Sequence, residues 1–135
     1  RMQPDVVLAL DTVPAGGTPE LRSGELPWTI GRGPLLKVRE TRGLSTHGPL
    51  RQLIRDAAEE GQIPYQVIVD TAGITDGTAA QQASGEIAAM VLGLARRYSH
   101  SACELVDLRD VEALLALTIA TVHRLQHRSQ LRRFG

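Results

Sequence analysis

Residues 87–94 of this sequence form an apolar stretch that reads IAAMVLGL. Successive side chains of a strand point to opposite faces, so apolar residues at every position are typical of a strand that is buried on both faces. We therefore predict a central strand over 87–94. A second apolar run, VVLALD at 6–11, predicts another buried strand that ends in the polar residue Asp11.

Five further elements continue this pattern along the chain. They are strands over 35–40 and 65–70, a helix that begins at Pro49 and ends at Gly61, a short helix over 78–83, and a last helix from its cap Asp107 through Leu125. On the last helix, we expect an inward face made of Val111, Leu114, Leu115, Thr118 and Val122. Strands that alternate with helices predict an α/β fold, a three-layer αβα arrangement with a mostly parallel sheet, in one domain.

The amino-acid composition argues against nucleic acids and membranes as partners. The 135 residues include 15 Lys+Arg and 15 Asp+Glu, and a formal net charge of zero argues against nucleic-acid binding, which needs a basic surface. The single cysteine, Cys103, cannot form an internal disulfide and fits a reducing compartment. The apolar runs fall short of the ~20 residues of a membrane span, and no signal peptide is predicted. We therefore expect a cytoplasmic protein without a membrane partner.

Two polar residues stand where α/β folds build their sites. Asp11 ends the first predicted strand, and His100 lies in the loop that follows the central strand. The carboxyl ends of the strands are the usual place for binding sites in open α/β sheets. A carboxylate and an imidazole suit a divalent metal ion such as Zn²⁺. Each residue also has an ordinary interpretation, Asp11 as a turn residue and His100 as a surface histidine.

Seven short segments of the chain resemble segments of a known protein family. They are LALD at 8–11, IGRGP at 30–34, LRQL at 50–53, IPYQ at 63–66, GITDG at 73–77, RYSHS at 97–101 and ELVDL at 104–108. In this order, and over nearly the whole chain, they resemble the C-terminal part of the dinuclear metalloaminopeptidases of metallopeptidase family 42. That family contains glutamyl, leucyl and deblocking aminopeptidases that form tetrahedral particles, and some of its members carry the name endoglucanase.

The resemblance implies roles for individual residues. Asp11 would bind one of two divalent metal ions, Zn or Co, and His100 would bind the other. Gly73, Thr75 and Asp76 would lie beside the active site and contact a peptide substrate. The implied activity is the hydrolysis of N-terminal residues from peptides, in a zinc-peptidase-like fold.

Part of the family's machinery has no counterpart in this chain. The first histidine ligand, the bridging aspartate and the adjacent Glu-Glu pair, which supplies the general base, all belong to the N-terminal half of the family. We therefore assign no catalytic residue here and expect a catalytically incomplete C-terminal portion. Such a portion would form a homo-oligomer or pair with a missing N-terminal half.

Two other functions stay open at this point. The chain could be a non-enzymatic module for assembly or peptide binding that keeps the peptidase fold. A nucleotide-binding domain is disfavoured, because a long loop over 12–34 follows Asp11 where a Gly-rich turn opening a helix would be needed.

Two acidic residues near the expected site also allow two interpretations each. Glu104 could orient the imidazole of His100 or be a plain surface charge. Asp76 could line the site or simply cap the short helix that follows it.

Overall fold

The computed structural model describes residues 4–19, 21–22, 24–41, 43, 46–71, 73–83 and 87–131. Within these residues the strands are β1 (Val6–Pro14), β2 (Leu35–Arg39), β3 (Gln66–Val69) and β4 (Ala88–Arg96). The helices are α1 (Gly48–Glu60), α2 (Asp76–Ala83) and α3 (Leu108–Arg124), and a short 3₁₀ turn covers Arg128–Leu131. The predicted order of strands and helices is therefore confirmed.

The four strands form one mixed sheet in the order β1-β4-β2-β3. β1 is parallel to β4 and β2 is parallel to β3, whereas β2 runs antiparallel to β4 at the centre. The α/β class is confirmed, and the prediction of a mostly parallel sheet holds for the two outer pairings. The central position of β4 is also confirmed, since its residues 88–95 are all buried.

Strand β1 is longer than its apolar run predicts. It pairs in unbroken register with β4 from Val6 opposite Ala88 to Pro14 opposite Arg96. Asp11 therefore does not end the strand but lies within it, opposite Gly93. The prediction was wrong because backbone pairing continues past a polar side chain when that side chain can point to solvent, as the exposed Asp11 does.

Helices α1 and α3 cover one face of the sheet. Apolar side chains of α1 are buried there, against side chains of β2 and β4 and one side chain of α3. This cluster contains Leu36, Leu50, Ile54, Ala57, Met90, Leu92 and Leu117. Lys37 follows Leu36 and so belongs to the opposite face, where it reaches Glu40, which accepts a hydrogen bond from Thr78 of α2. The three-layer arrangement is thus confirmed.

The inward face of α3 differs from the predicted one. Asp110, Leu117 and Thr121 are the buried residues of this helix. Of the residues expected to face the core, Leu114 and Thr118 are half-buried, whereas Val111, Leu115 and Val122 are exposed.

No helix within the described ranges is long and apolar enough to cross a membrane.

The orientation of α3 has a specific physical cause. Asp110 is buried, and its two carboxylate oxygens accept hydrogen bonds from the backbone N–H groups of Gly31, at 2.6 Å, and Gly33, at 2.7 Å. A buried carboxylate must keep such partners, so this contact sets the rotation of the helix. The residues one, two and three turns further along the same side, Leu114, Leu117 and Thr121, then face the sheet.

Candidate functional site

A cavity of about 410 Å³ lies at the carboxyl ends of β1 and β4. Asp11, His100, Gly73 and Thr75 all line it, although they are far apart in the sequence. Parallel pairing of β1 with β4 explains the meeting of the first two, because the chain leaves both strands at the same edge of the sheet. Asp76 lies in a second cavity, of about 460 Å³, that shares Asp11 and Thr75 with the first.

Asp11 presents its carboxylate from the outer strand of the sheet. The side chain is exposed, and its Oδ1 accepts a hydrogen bond of 2.7 Å from the backbone N–H of Thr12. This local bond restricts the side chain, which lines the cavity. A carboxylate held in this way can accept a further ligand without leaving a buried charge behind.

His100 lies in a tight turn beyond the end of β4. Tyr98 and His100 both have left-handed backbone conformations, with φ of 58° and 62°. Non-glycine residues adopt this conformation rarely, and two within three residues mark a turn that the surroundings must hold in place. An isolated pairing of Arg97 with Leu105 closes the base of the turn.

The carboxylate of Glu104 stabilises this turn. Its Oε1 accepts a hydrogen bond of 2.6 Å from the backbone N–H of His100 and another from the guanidinium of Arg96. These bonds, that of Arg96 first, hold the pKa of Glu104 below its usual range. Glu104 is therefore more than a plain surface charge, but the bond it makes to His100 uses the main chain rather than the imidazole. It positions the backbone that carries the histidine.

A buried ion-pair network forms another part of the cavity wall. The ammonium group of Lys37 lies 2.9 Å from Oε1 of Glu40 and 2.9 Å from Oδ2 of Asp70. Lys37 and Glu40 are each 1% exposed and Asp70 is 7% exposed. Lys37 and Asp70 line the same cavity as Asp11 and His100.

The carboxylates of this network hold the loop that carries Thr75. Glu40 accepts hydrogen bonds from the backbone N–H of Thr75, at 3.1 Å, and from the hydroxyl of Thr78. Asp70 accepts one from the backbone N–H of Gly73, at 3.1 Å. Burial alone would raise the pKa of Glu40, but hydrogen bonds from Lys37, Thr78 and Thr75 outweigh it and lower the pKa.

Sequence reasoning missed this network, although two signals were present. Lys37 interrupts the apolar run of β2, where a solvated charge has no place. A buried lysine needs an acidic partner, and Glu40 and Asp70 each follow the end of a strand in the same sheet. The order β2, α1, β3 is a second signal, because two strands joined by one helix are usually neighbours in a sheet.

The side chains of this cavity suit a metal ion by their type but are too few to hold one. A carboxylate and an imidazole are the ligand types that Zn²⁺ and Co²⁺ accept. Across the part of the chain that the structure describes, however, no three His, Cys, Asp or Glu side chains are grouped so that they could hold a metal ion. Asp11 and His100 therefore fit two of the ligands of a two-metal site and do not form a complete site.

Part of the cavity wall is apolar. Leu26 and Trp28, from the long loop between β1 and β2, line it together with Val13. The indole N–H of Trp28 donates a hydrogen bond of 2.7 Å to the backbone carbonyl of Pro14, which fixes the ring against the end of β1. The cavity thus combines an apolar part with exposed acidic and imidazole groups, a combination typical of sites for small molecules and peptides.

The family model for M42 glutamyl aminopeptidases matches residues 1–117. A match over most of the chain shows that it belongs to the M42 aminopeptidase family, as the sequence motifs predict. The lysyl aminopeptidase of Pyrococcus furiosus is 30% identical over 126 residues, which are 93% of this chain and 35% of that protein.

Solved structures agree with this assignment. The TET aminopeptidase of the marine sediment archaeon Thaumarchaeota archaeon SCGC AB-539-E09 superposes with a TM-score of 0.85 at 28% identity, over 94% of this chain and 35% of that one. The TET1 peptidase of Pyrococcus horikoshii shares the fold, with a TM-score of 0.68 at 24% identity over 87% of this chain and 32% of that one. That peptidase assembles into a tetrahedron or a large octahedral shell. The chain spans about a third of each relative.

Proposed function

We propose that this chain is the C-terminal portion, residues 1–135, of the catalytic domain of a metal-dependent aminopeptidase that removes N-terminal residues from peptides. The observation that supports the proposal is that Asp11 and His100, which the resemblance implies as metal ligands, line one cavity although one lies within β1 and the other beyond the end of its parallel neighbour β4. Since the chain spans about a third of its relatives, the activity belongs to a larger assembly of parts.

Each residue has a proposed role in that larger site. Asp11 and His100 would each bind one of two divalent ions, Zn or Co, which in such sites polarise the scissile carbonyl and lower the pKa of a bound water. Glu104, together with Arg96, would keep His100 in its left-handed turn. The general base would come from outside this chain, and we assign no catalytic residue here.

The walls of the cavity would position the peptide. The segment with Gly73, Thr75 and Asp76 lies along Asp11, where the N-terminal residue of a peptide would meet the metal ions. The buried network under Lys37 would hold this segment in place, because two of its backbone N–H groups are bonded to Asp70 and Glu40. The apolar part of the wall at Trp28 would accept the first side chain of the peptide.

Zinc binding measured by equilibrium dialysis would test the metal roles. We expect the chain to hold Zn²⁺ loosely, with less bound by Asp11→Asn and by His100→Asn. Asparagine tolerates the left-handed conformation of His100, so this variant removes the imidazole without disturbing the turn. The matched control is His127→Asn, an exposed histidine outside the cavity, which should bind as the wild type does. Zinc binding that neither Asp11→Asn nor His100→Asn weakens would contradict the proposal.

A second candidate function rests on the incomplete ligand set. Because the described residues hold no group of three metal-binding side chains, the chain could act without metal as a peptide-binding or assembly module. Binding of a fluorescent peptide in the presence of a chelator separates the two candidates. Peptide binding that survives the chelator and His100→Asn favours the module, whereas loss under both conditions favours the peptidase.

The compartment and the partners belong to the same proposal. We place the protein in the cytoplasm, on the single exposed cysteine and the family resemblance. A peptide would be its substrate, and further copies of the chain or a matching N-terminal half would be its protein partners.

A further inference from the structure

The hydroxyl of Thr75 is buried and has no hydrogen-bond partner among the residues that the structure describes. Thr75 is 9% exposed, and it lines both the cavity of Asp11 and His100 and the second cavity beside it. A buried polar atom that lacks a partner lowers the stability of the fold. Such an atom on the wall of a binding cavity indicates a hydrogen bond that a ligand completes.

The main chain of Thr75 is fixed by hydrogen bonds at both of its polar groups. Its N–H donates to Oε2 of Glu40, at 3.1 Å, and its carbonyl accepts from the N–H of Thr78, at 3.0 Å. Thr75 therefore lies at the N-terminal end of α2, where a threonine hydroxyl commonly accepts a hydrogen bond from the helix backbone. The hydroxyl of Thr75 makes no such bond, so it remains available on a rigid support.

The carboxylate of Glu40 orients this hydroxyl. Burial raises the pKa of Glu40, and the hydroxyl of Thr75 is among the neighbouring groups that lower it. The hydrogen of the hydroxyl is therefore drawn toward Glu40, although the two side chains do not reach hydrogen-bond geometry. The lone pairs of the hydroxyl oxygen are left to accept a hydrogen bond, so the ligand group that suits Thr75 is an N–H donor.

The charges around Thr75 favour a donor with cationic character. The charged residues described on the wall of the second cavity are Asp11 and Asp76, and both are exposed. The two cations on the wall of the first cavity, Lys37 and Arg96, are each paired with a carboxylate. An amino group complements this surrounding, whereas a carboxylate would add a further negative charge to it.

We propose that the hydroxyl of Thr75 accepts a hydrogen bond from the N-terminal amino group of the peptide, with the carboxylate of Asp76 next to it. Thr75 would thus select peptides with a free amino terminus, whatever their first side chain is. It is a binding residue that touches the substrate and transfers no proton. The inference rests on the proposed function, because it requires that the cavity accepts a peptide.

An unpartnered hydroxyl predicts opposite effects of one substitution on stability and on binding. Thr75→Val keeps the shape of the side chain and removes the hydroxyl, so the free chain should unfold at the same urea concentration as the wild type or at a higher one. The same substitution should weaken the binding of an amine. A hydroxyl with a purely structural role would give the reverse, a less stable chain with unchanged binding, and would overturn the inference.

The fluorescence of Trp28 measures this binding, because Trp28 is the single tryptophan of the chain and lines the first cavity. The two probes are leucinamide, which has a free amino group, and N-acetyl-leucinamide, both titrated in the presence of a chelator. We expect the wild type to bind leucinamide more tightly than the acetylated probe. Thr75→Val should raise the dissociation constant of leucinamide about tenfold and leave that of the acetylated probe nearly unchanged.

Two control variants accompany the titration. Thr75→Ser keeps the hydroxyl and should bind leucinamide as the wild type does. Thr118→Val removes a half-buried threonine hydroxyl of α3, outside both cavities, and should leave both dissociation constants unchanged. A wild type that does not distinguish the probes, or a Thr75→Val chain that binds leucinamide normally or weakens both probes equally, would overturn the inference. Because the chelator removes metal ions, this result and the zinc experiment on Asp11 and His100 can fail separately.

Discussion

Two groups of charged residues contribute to the same cavity and differ in their burial and in their bonding. Lys37, Glu40 and Asp70 are buried and bonded to one another and to the loop beside them. Asp11 and His100 are exposed. Buried charges must be fully partnered to be tolerated, whereas a ligand must keep bonding capacity in reserve. The charged side chains at this cavity are thus of two kinds, buried ones that hold its wall and exposed ones that keep bonding capacity.

The largest expected effect comes from removing the cation of the buried group. Lys37→Met leaves Glu40 and Asp70 buried without their counter-charge and should lower the free energy of unfolding by about 3–5 kcal/mol. Urea denaturation measures this loss. The triple variant that adds Glu40→Gln and Asp70→Asn should recover part of it. A loss below about 1 kcal/mol would mean that Lys37 is not the partner that keeps these carboxylates stable.

Asp110 is a third buried carboxylate, and the partners described for it are backbone N–H groups and not a cation. Asp110→Ala leaves the backbone N–H groups of Gly31 and Gly33 without their acceptor, and we expect a loss of about 1–3 kcal/mol for such unsatisfied groups. The same urea experiment on Glu112→Ala, an exposed acid on the next turn of the helix, should show a change within about 0.5 kcal/mol. Equal effects of the two substitutions would remove the proposed role of Asp110 in orienting α3.

Asp107 offers an intermediate case, a paired carboxylate at the surface. Its hydrogen bonds with Arg109 lower its pKa from 3.8 to about 2. A depressed pKa in the folded state stabilises the fold above the unfolded value, so this contribution is complete above pH 3.8 and is lost as the pH falls toward 2. Asp107→Asn should therefore show a stability deficit near neutral pH that shrinks between pH 4 and 2. A deficit independent of pH would contradict the assigned ion pair.

The smallest expected effect on stability belongs to the proposed ligands. Asp11→Asn and His100→Asn should each change the free energy of unfolding by no more than about 0.5 kcal/mol, because neither side chain is buried. Thermal unfolding without metal measures this, and Cys103→Ser, at another exposed position, sets the baseline. A large loss in either variant would make that residue a structural one and erase its difference from the Lys37 network.

The sequence alone is sufficient to predict the strands and several residues that line the cavity. It is not sufficient to predict the buried side chains that hold the cavity wall in place. The apolar runs of β1 and β4 and the motifs around Asp11 and His100 were sufficient to predict two parallel strands with polar residues at the same edge. The buried network of Lys37, Glu40 and Asp70 was missed because its side chains meet only through the pairing of β2 with β3, and residue periodicity within one strand does not predict such contacts. The antiparallel pairing of β2 with β4 was missed for the same reason, because it too is a contact between distant parts of the chain.

Local sequence by itself determined where strands and helices form and which family the chain resembles, because residue periodicity and short motifs act over a few neighbours. Only the tertiary structure decided which side of α3 faces the core. That helix has apolar residues on two sides, and periodicity cannot choose between them. The choice falls to Asp110, whose buried carboxylate must meet the N–H groups of Gly31 and Gly33. A contact between residues so distant in the chain exists only once the fold has brought them together.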